Sequence, residues 1–316
     1  MAIVLRLLGV LIMLTALAFT LARAPDRPVQ TLVARWAPPP SEFIEIKGQL
    51  VHYRDEGPQD DALPIVLIHG TSASLHTWEG WARALRGQRR VISFDLPGFG
   101  LTGPFTGQYT AGDYRGDTYA HFLIDLLDAL KIDRAVLGGN SLGGEVAWRT
   151  AHLAPERVAA LILVDAAGLP FTPQSIPVAW QLARTPVLNR IAEWALPRGL
   201  IERSLRDVYG DPSKVSPELV DRYFELTLRE GNRRALTQRL QQMAIGEHAD
   251  RVAAIKQPTL ILWGDQDRLI PPEVGQQFHQ RIKGSQIVVF ADLGHVPQEE
   301  DAQRSVAPVK VFLGLD

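Results

Sequence analysis

The chain has 316 residues, 46% of them apolar and 22% charged, with a formal net charge of −2; that suits one large domain with an insertion, or two domains, around a sizeable core. The charge balance implies no strong polyanion or polycation partner. The arginines are scattered among acids, with doublets such as Arg89-Arg90 and Arg233-Arg234 reading as solvated surface, so no nucleic-acid stripe forms. The lack of cysteine removes disulfides, cysteine-ligated zinc and a thiol nucleophile.

Residues 2–22 are nearly all apolar, with one charge at Arg6; beyond it the unbroken apolar stretch is about 16 residues, on the short side of the ~17–25 that span a bilayer. Two readings compete. A cleaved secretory signal has its small-x-small site at Ala22-Arg23-Ala24 and leaves a secreted or periplasmic protein, but Pro25 hinders cleavage. An uncleaved segment anchors the chain to a membrane, and this reading fits better. Arg6 on one side and Arg23 and Arg27 on the other leave its orientation open. Residues 25–40 hold five prolines and read as a stiff, partly extended spacer.

The folded domain begins near Ser41. Residues 43–54 alternate around Gly48 like a hairpin. Pro64-Ile65-Val66-Leu67-Ile68 is a continuous apolar run, the pattern of a strand buried on both faces, and it runs into His69-Gly70-Thr71-Ser72. A helix over 78–86 and a strand over 91–94 follow, the latter ending in Asp95-Leu96-Pro97-Gly98-Phe99-Gly100. Residues 101–116 read as loop. Phe122, Leu126 and Leu130 mark one stripe of a helix over 118–130. A strand leads into Gly139-Asn140-Ser141-Leu142-Gly143-Gly144, a helix leads out, and the strand over 158–164 ends in Asp165. This alternation implies a parallel sheet with right-handed crossovers, an α/β fold.

From Leu169 to Ile255 the rhythm breaks. Leu219, Tyr223 and Leu226 mark one helix, Leu236, Leu240 and Met243 another, and no buried strand is visible. Residues 169–255 therefore read as a helical cap inserted between two parts of a core, 41–168 and 256–316. The series resumes with a strand at Thr259–Trp263 ending in Gly264-Asp265-Gln266-Asp267. A helix over 272–282, a strand over 286–290 ending in Gly294-His295, and a final helix from about Glu299 to Phe312 complete it.

Chemically able residues thus stand just past the carboxyl ends of parallel strands, where such sheets bind ligands. Gly-x-Ser-x-Gly around Ser141 is a strand–turn–helix serine whose small neighbours tolerate a tight turn. A serine needs a base. The imidazole of His295 has the right pKa range, and an acid must orient and balance it. Asp265 and Asp267 both follow the preceding strand.

These motifs, in this order, resemble the α/β-hydrolase family over about residues 41–316. The resemblance implies a mostly parallel doubly wound sheet with an inserted cap. In that family the acid stands three residues after the glycine that ends its strand, which carries over to Asp267 and leaves Asp265 a turn-stabilising role. The implied oxyanion hole is the backbone N–H of Leu142 and of Thr71. His69 reads as a structural residue of the oxyanion loop and Asp95 as a loop brace. His76, His121, His152, His248 and His279 show no metal-ligand spacing and read as surface or helix-face residues; no metal or cofactor is expected. Trp180, Trp194, Phe171 and Phe224 are candidates for an acyl pocket or for cap core.

Serine at 141 argues against the family's aspartate-nucleophile branches. The elbow resembles both carboxylesterases or lipases and the meta-cleavage-product carbon–carbon hydrolases. The latter usually carry a tryptophan after the catalytic histidine, where this chain has Val296. The expectation is a Ser141–His295–Asp267 serine hydrolase acting on a small or apolar-acyl ester. Its alternatives are a carbon–carbon hydrolase, a thioesterase or amidase, and a non-catalytic ligand-binding protein of the same fold.

Overall fold

A computed structural model of the chain describes residues 2–185 and 193–315. It begins with helices α1 (Ala2–Ala22) and α2 (Gln30–Trp36). The expected hairpin is β1 (Ser41–Ile46) with β2 (Gln49–Glu56), paired antiparallel with Ile46 opposite Gln49. Its turn residues Lys47 and Gly48 both take positive φ, 51° and 84°, the two-residue geometry whose twist matches that of the strands. Then come β3 (Ile65–Ile68), α3 (Glu79–Leu85), β4 (Val91–Phe94), α4 (Gly116–Ala129), β5 (Ala135–Asn140), α5 (Leu142–Leu153) and β6 (Val158–Val164). The cap supplies α6 (Val178–Arg184), α7 (Arg198–Val208), α8 (Pro217–Thr227) and α9 (Asn232–Gln242). The chain ends with β7 (Thr259–Gly264), α10 (Pro272–Arg281), β8 (Gln286–Phe290), α11 (Pro297–Glu300) and α12 (Ala302–Leu313). The single final helix expected from Glu299 is thus split at Asp301, whose carboxylate accepts the Arg304 N–H at 3.1 Å and caps α12.

The eight strands form one sheet in the order β1-β2-β4-β3-β5-β6-β7-β8, with β3 to β8 parallel and β1 and β2 antiparallel. Strands β3 to β7 are buried on both faces because helices cover both, while the edge strand β8 is partly exposed. Val66, Ile68, Leu137 and Ile261 pack in a cluster with Phe122 and Leu126 of α4 and Phe278 of α10. On the other face Ile65, Leu67, Val136 and Leu260 pack with Trp81 and Leu85 of α3 and Val306 and Val309 of α12. The period of two along the strands sends neighbouring side chains to opposite clusters.

The cap has its own core, in which Leu196, Ile201, Leu205, Tyr209 and Val220 pack together with Val296 from the main body. Among the described residues no strand lies between β6 and β7. Helix α8 starts cleanly because the Ser216 hydroxyl accepts the Leu219 N–H at 3.2 Å and Pro217 occupies the first helical position.

The N-terminal part differs from the expectation of a free spacer. Residues 24–37 lie along the cap. The Ala24 N–H donates to Trp194 O at 3.0 Å, Arg27 N–H to Leu228 O at 2.6 Å, and Glu230 N–H to Arg27 O at 2.9 Å. Asp26 pairs with Arg233, which is therefore buried rather than solvated. Glu225 accepts from the Trp36 indole at 2.7 Å and pairs with Arg27 and Arg35. His76, expected at the surface, is buried: its Nε2 donates to Trp36 O at 2.8 Å and its Nδ1 faces Ser74 Oγ at 3.0 Å. Helix α1 stands clear of the body, with its described large apolar side chains 47% to 67% exposed. Among the described residues no helix is long and apolar enough to cross a membrane.

Candidate active site beneath the cap

Ser141 closes β5 and opens α5. Its backbone sits at φ 55°, ψ −116°, a region side-chain-bearing residues rarely adopt and one that costs about 1–3 kcal/mol to hold. The glycines around it are required by contact. A Cβ on Gly143 would lie 2.0 Å from Ile68 O, one on Gly139 2.2 Å from the backbone of Gly143, and one on Gly144 2.5 Å from Ala166 Cβ. The turn is locked between β3, β6 and its own helix.

Asp267 follows β7 and is fully buried. Its Oδ1 accepts the N–H groups of Leu269 and Ile270 at 2.8 and 2.9 Å, and its Oδ2 lies 2.6 Å from His295 Nδ1. The other aspartate of that turn, Asp265, accepts the Asp292 N–H at 2.8 Å and is exposed, so it braces the turn. His295 follows β8, is only 5% exposed, and lines the same cavity as Ser141. The structure therefore brings Ser141, His295 and Asp267 together and leaves Asp265 outside. An imidazole with Nδ1 bound to a carboxylate presents Nε2 as a base.

Sequence reasoning missed the residues that hold His295 in place. Asn140, one residue before the serine, donates its amide to His295 O at 2.9 Å and to Val164 O at 3.2 Å. The His295 N–H donates to Val208 O, the last residue of α7, at 2.8 Å. Glu300 of α11 accepts three N–H groups: Gly294 at 2.8 Å, Gly210 at 3.0 Å and Asp211 at 2.8 Å. The histidine loop and the cap loop after α7 are thus one stitched unit. The asparagine was visible inside the motif; the pairing of Glu300 with the cap loop at Gly210 and Asp211, about ninety residues earlier, left no local signal.

Behind the serine, His69 is a structural histidine. Its Nε2 accepts the Leu96 N–H at 2.9 Å, so Nδ1 carries the proton and donates to Gly70 O at 2.7 Å; burial lowers its pKa, which keeps the ring neutral. Asp95 braces its loop as expected, accepting from Leu75 and Leu101 N–H at 2.8 Å each and pairing with His52 at 2.7 Å. Thr71 and Leu142 present backbone N–H groups beside Ser141, and among the described residues neither has a backbone acceptor.

Two cavities meet at Ser141, Thr71, Trp180 and Leu269. One, of about 960 Å³, extends under α7 and α8 and is walled mostly by apolar groups such as Leu196, Ile201, Leu205 and Val296. The other, of about 650 Å³, runs past Phe171 and Met243 towards Arg184, Glu145 and Arg239. Trp180 borders both and donates to Ser72 Oγ at 3.3 Å. Phe224 packs against the cap core, and Trp194 is 61% exposed, so of the four candidate aromatics two line the site and two do not.

A strained serine at a strand–helix turn, a histidine and an acid past later strands, and a helical cap over the sheet edge define a hydrolase. The family model for the alpha/beta hydrolase fold matches residues 64–302, and the chain belongs to that family. The chain is 31% identical over 265 residues to a 2-hydroxy-6-oxo-2,4-heptadienoate hydrolase of Pseudomonas putida, covering 80% of this chain and 90% of the relative. It is 30% identical over 280 residues to the dihydrolipoyllysine-residue acetyltransferase component of an acetoin cleaving system, also of Pseudomonas putida, covering 87% and 70%. Among solved structures, a meta-cleavage product hydrolase of Pseudomonas fluorescens superposes with a TM-score of 0.74 at 27% identity, covering 86% of this chain and 97% of that one.

Proposed function

We propose that the chain is a serine hydrolase in which Ser141 is the nucleophile, His295 the general base and Asp267 the acid, and that it cleaves a carboxylic ester with an apolar acyl group. Ser141 Oγ attacks the carbonyl carbon as His295 Nε2 takes the hydroxyl proton. The tetrahedral oxyanion is held by the Leu142 and Thr71 N–H groups, each worth about 3 kcal/mol in such sites. Collapse expels the alcohol, which receives the proton from His295. Water, deprotonated by the same imidazole, then attacks the acyl-enzyme and releases the acid and the free serine. The observation that carries the ester reading is the apolar wall of the larger cavity, which opens from the serine and has Val296 beside His295 where it offers no ring to a substrate.

A second reading, hydrolysis of a carbon–carbon bond in a meta-cleavage product, is supported by the names of the relatives, and more strongly than the ester reading is. Assays of p-nitrophenyl esters of graded acyl length against a 2-hydroxy-6-oxodienoate separate the two. Ester turnover that rises with acyl length and a dienoate turnover at background support the first reading; the reverse overturns it. In either case Ser141→Ala lowers kcat/KM by at least ~10³-fold with the fold intact. Full activity in that variant removes the mechanism, and failure of folded protein to react with a fluorophosphonate at Ser141 supports a ligand-binding role.

Residues 2–22 are proposed to tether the enzyme to a lipid surface, supported by exposed apolar groups at positions 4, 5, 7, 8, 10 to 14 and 17, which leave α1 without a polar face. Deleting them is expected to move the protein from the membrane pellet to the supernatant while short-ester turnover persists. A deletion variant that still pellets with the membrane overturns the tether.

A further inference from the structure

Asp165 ends β6 and takes no part in the chemistry just described. It is completely buried, at φ 43° in the left-handed region, with its N–H in the sheet bonded to Leu262 O at 3.0 Å. Its Oδ1 accepts the Gly264 N–H at 3.0 Å. Among the described residues its Oδ2 has no donor. Yet oxygens of Asp165 and Asp267 and a ring nitrogen of His295 all lie within 4.8 Å of one another. Two buried carboxylates therefore lie close together, and one of their four oxygens has no donor. A buried acceptor with no partner is costly, and two like charges this close together away from water do not both ionise.

The number of donors decides where a single proton goes. Asp267 receives two N–H groups and the imidazole, which stabilise its charged form. Asp165 receives one. We propose that Asp165 is held as a neutral carboxylic acid with its proton on Oδ2, donated to the Asp267 carboxylate, and that it is the positioning residue behind the triad acid. This rests on the serine-hydrolase reading for its purpose, though not for its chemistry. The same orphan oxygen that marks the site becomes a donor, and Asp267 is then fixed from β6 as well as from its own loop.

Of the groups facing Asp165, the carboxylates of Asp267 and Glu300 raise its pKa and the Gly264 N–H opposes them. Asp267 comes from the loop after β7, His295 from the loop after β8, and the charge of Glu300 reaches it from α11. Burial pushes the Asp165 carboxyl well above the usual carboxylate range, and the Asp267 charge adds to the push. Of the four carboxylate oxygens here, Asp165 Oδ2 alone is left without a hydrogen bond, because both Asp267 oxygens and Asp165 Oδ1 already accept one.

The test is infrared difference spectroscopy at neutral pH, together with the pH profile of kcat/KM, on wild type, Asp165→Asn and Asp165→Ala. The expected spectrum of wild type contains a carboxylic-acid carbonyl stretch that Asp165→Asn removes. Asparagine keeps both the acceptor for Gly264 and a donor for Asp267. It therefore restores most of the kcat that alanine loses, a loss of about 10-fold or more, and leaves the acid limb of the profile in place. Absence of the acid band overturns the proposal. So does a fall of the acid limb by about one pH unit in Asp165→Asn, the shift expected when a negative charge beside His295 is removed. If Asp165→Asn does not fold, carbon-13 titration of the aspartate carboxyls in wild type answers the same question, since one buried carboxyl must stay protonated through neutral pH. The spectra can also be taken on Ser141→Ala, so a wrong triad assignment shows in activity while a wrong protonation state shows in the spectrum.

Discussion

Each residue that shapes the nucleophile turn is specified by what it would hit. Gly143 is the sharpest case, because the obstacle to a side chain is a backbone carbonyl of β3 and no rotamer can relieve it. Gly143→Ala is expected to destabilise the fold by about 1–3 kcal/mol, read from urea unfolding, and to abolish hydrolytic turnover because Ser141 is displaced with the helix start. A variant with wild-type stability and turnover would show that β3 and α5 separate more easily than their packing implies. Ser141, Asp267 and His295 were legible in the sequence because each follows a strand that announces itself by an apolar run. What Asn140 and Glu300 bond to, and the pairing of Asp165 with Asp267, were not. Their roles depend on which strand ends become neighbours, and that is decided by the sheet order, with β5 beside β6 and β6 beside β7.

At the scale of elements, the buried strands were readable almost to the residue, since a strand covered on both faces has no polar positions to blur its ends. Helix ends were less so. The tract from residue 297 carries enough helix formers to read as one helix, but Asp301 bonds the next turn with its side chain and stops the first helix at Glu300. Asp301→Ala removes that cap and is expected to cost about 1 kcal/mol of unfolding free energy, with little change in turnover. A neutral result would mean that α12 is held by Val306 and Val309 against the sheet rather than by its start. The spacer expected at residues 25–40 instead packs down, for a related reason: prolines at 25, 28 and 38 to 40 bracket an amphipathic stretch whose Leu32 is buried against Leu101 and Leu226, a partner surface made by two distant parts of the chain.

For the molecule as a whole, stability against acid follows from histidines folded in neutral form. Burial pushes His76 down to about 3, with the Asp95 charge opposing in part, against 6.5 for a free imidazole. Above 6.5 the folded and unfolded states are equally unprotonated at this group and it adds no pH slope. As pH falls below 6.5 the unfolded chain takes a proton that the folded chain refuses, so stability is lost at about 1.4 kcal/mol per pH unit until the folded ring also titrates. Unfolding free energies measured between about pH 6.5 and 4.5 should fall less steeply in His76→Asn than in wild type, by close to one proton. Parallel slopes would place the acid sensitivity elsewhere.

The docking of residues 24–37 on the cap also sets an order of events during synthesis. Asp26 and its partner Arg233 are 207 residues apart, so a segment made early waits for a partner made late. At roughly 5–20 residues per second, that segment waits about ten seconds or more with its contact surface open. The core strands from β3 to β6 are complete before the cap exists, and residues 24–37 can close on the cap only when translation has passed Arg233, with β7 and β8 still to be made.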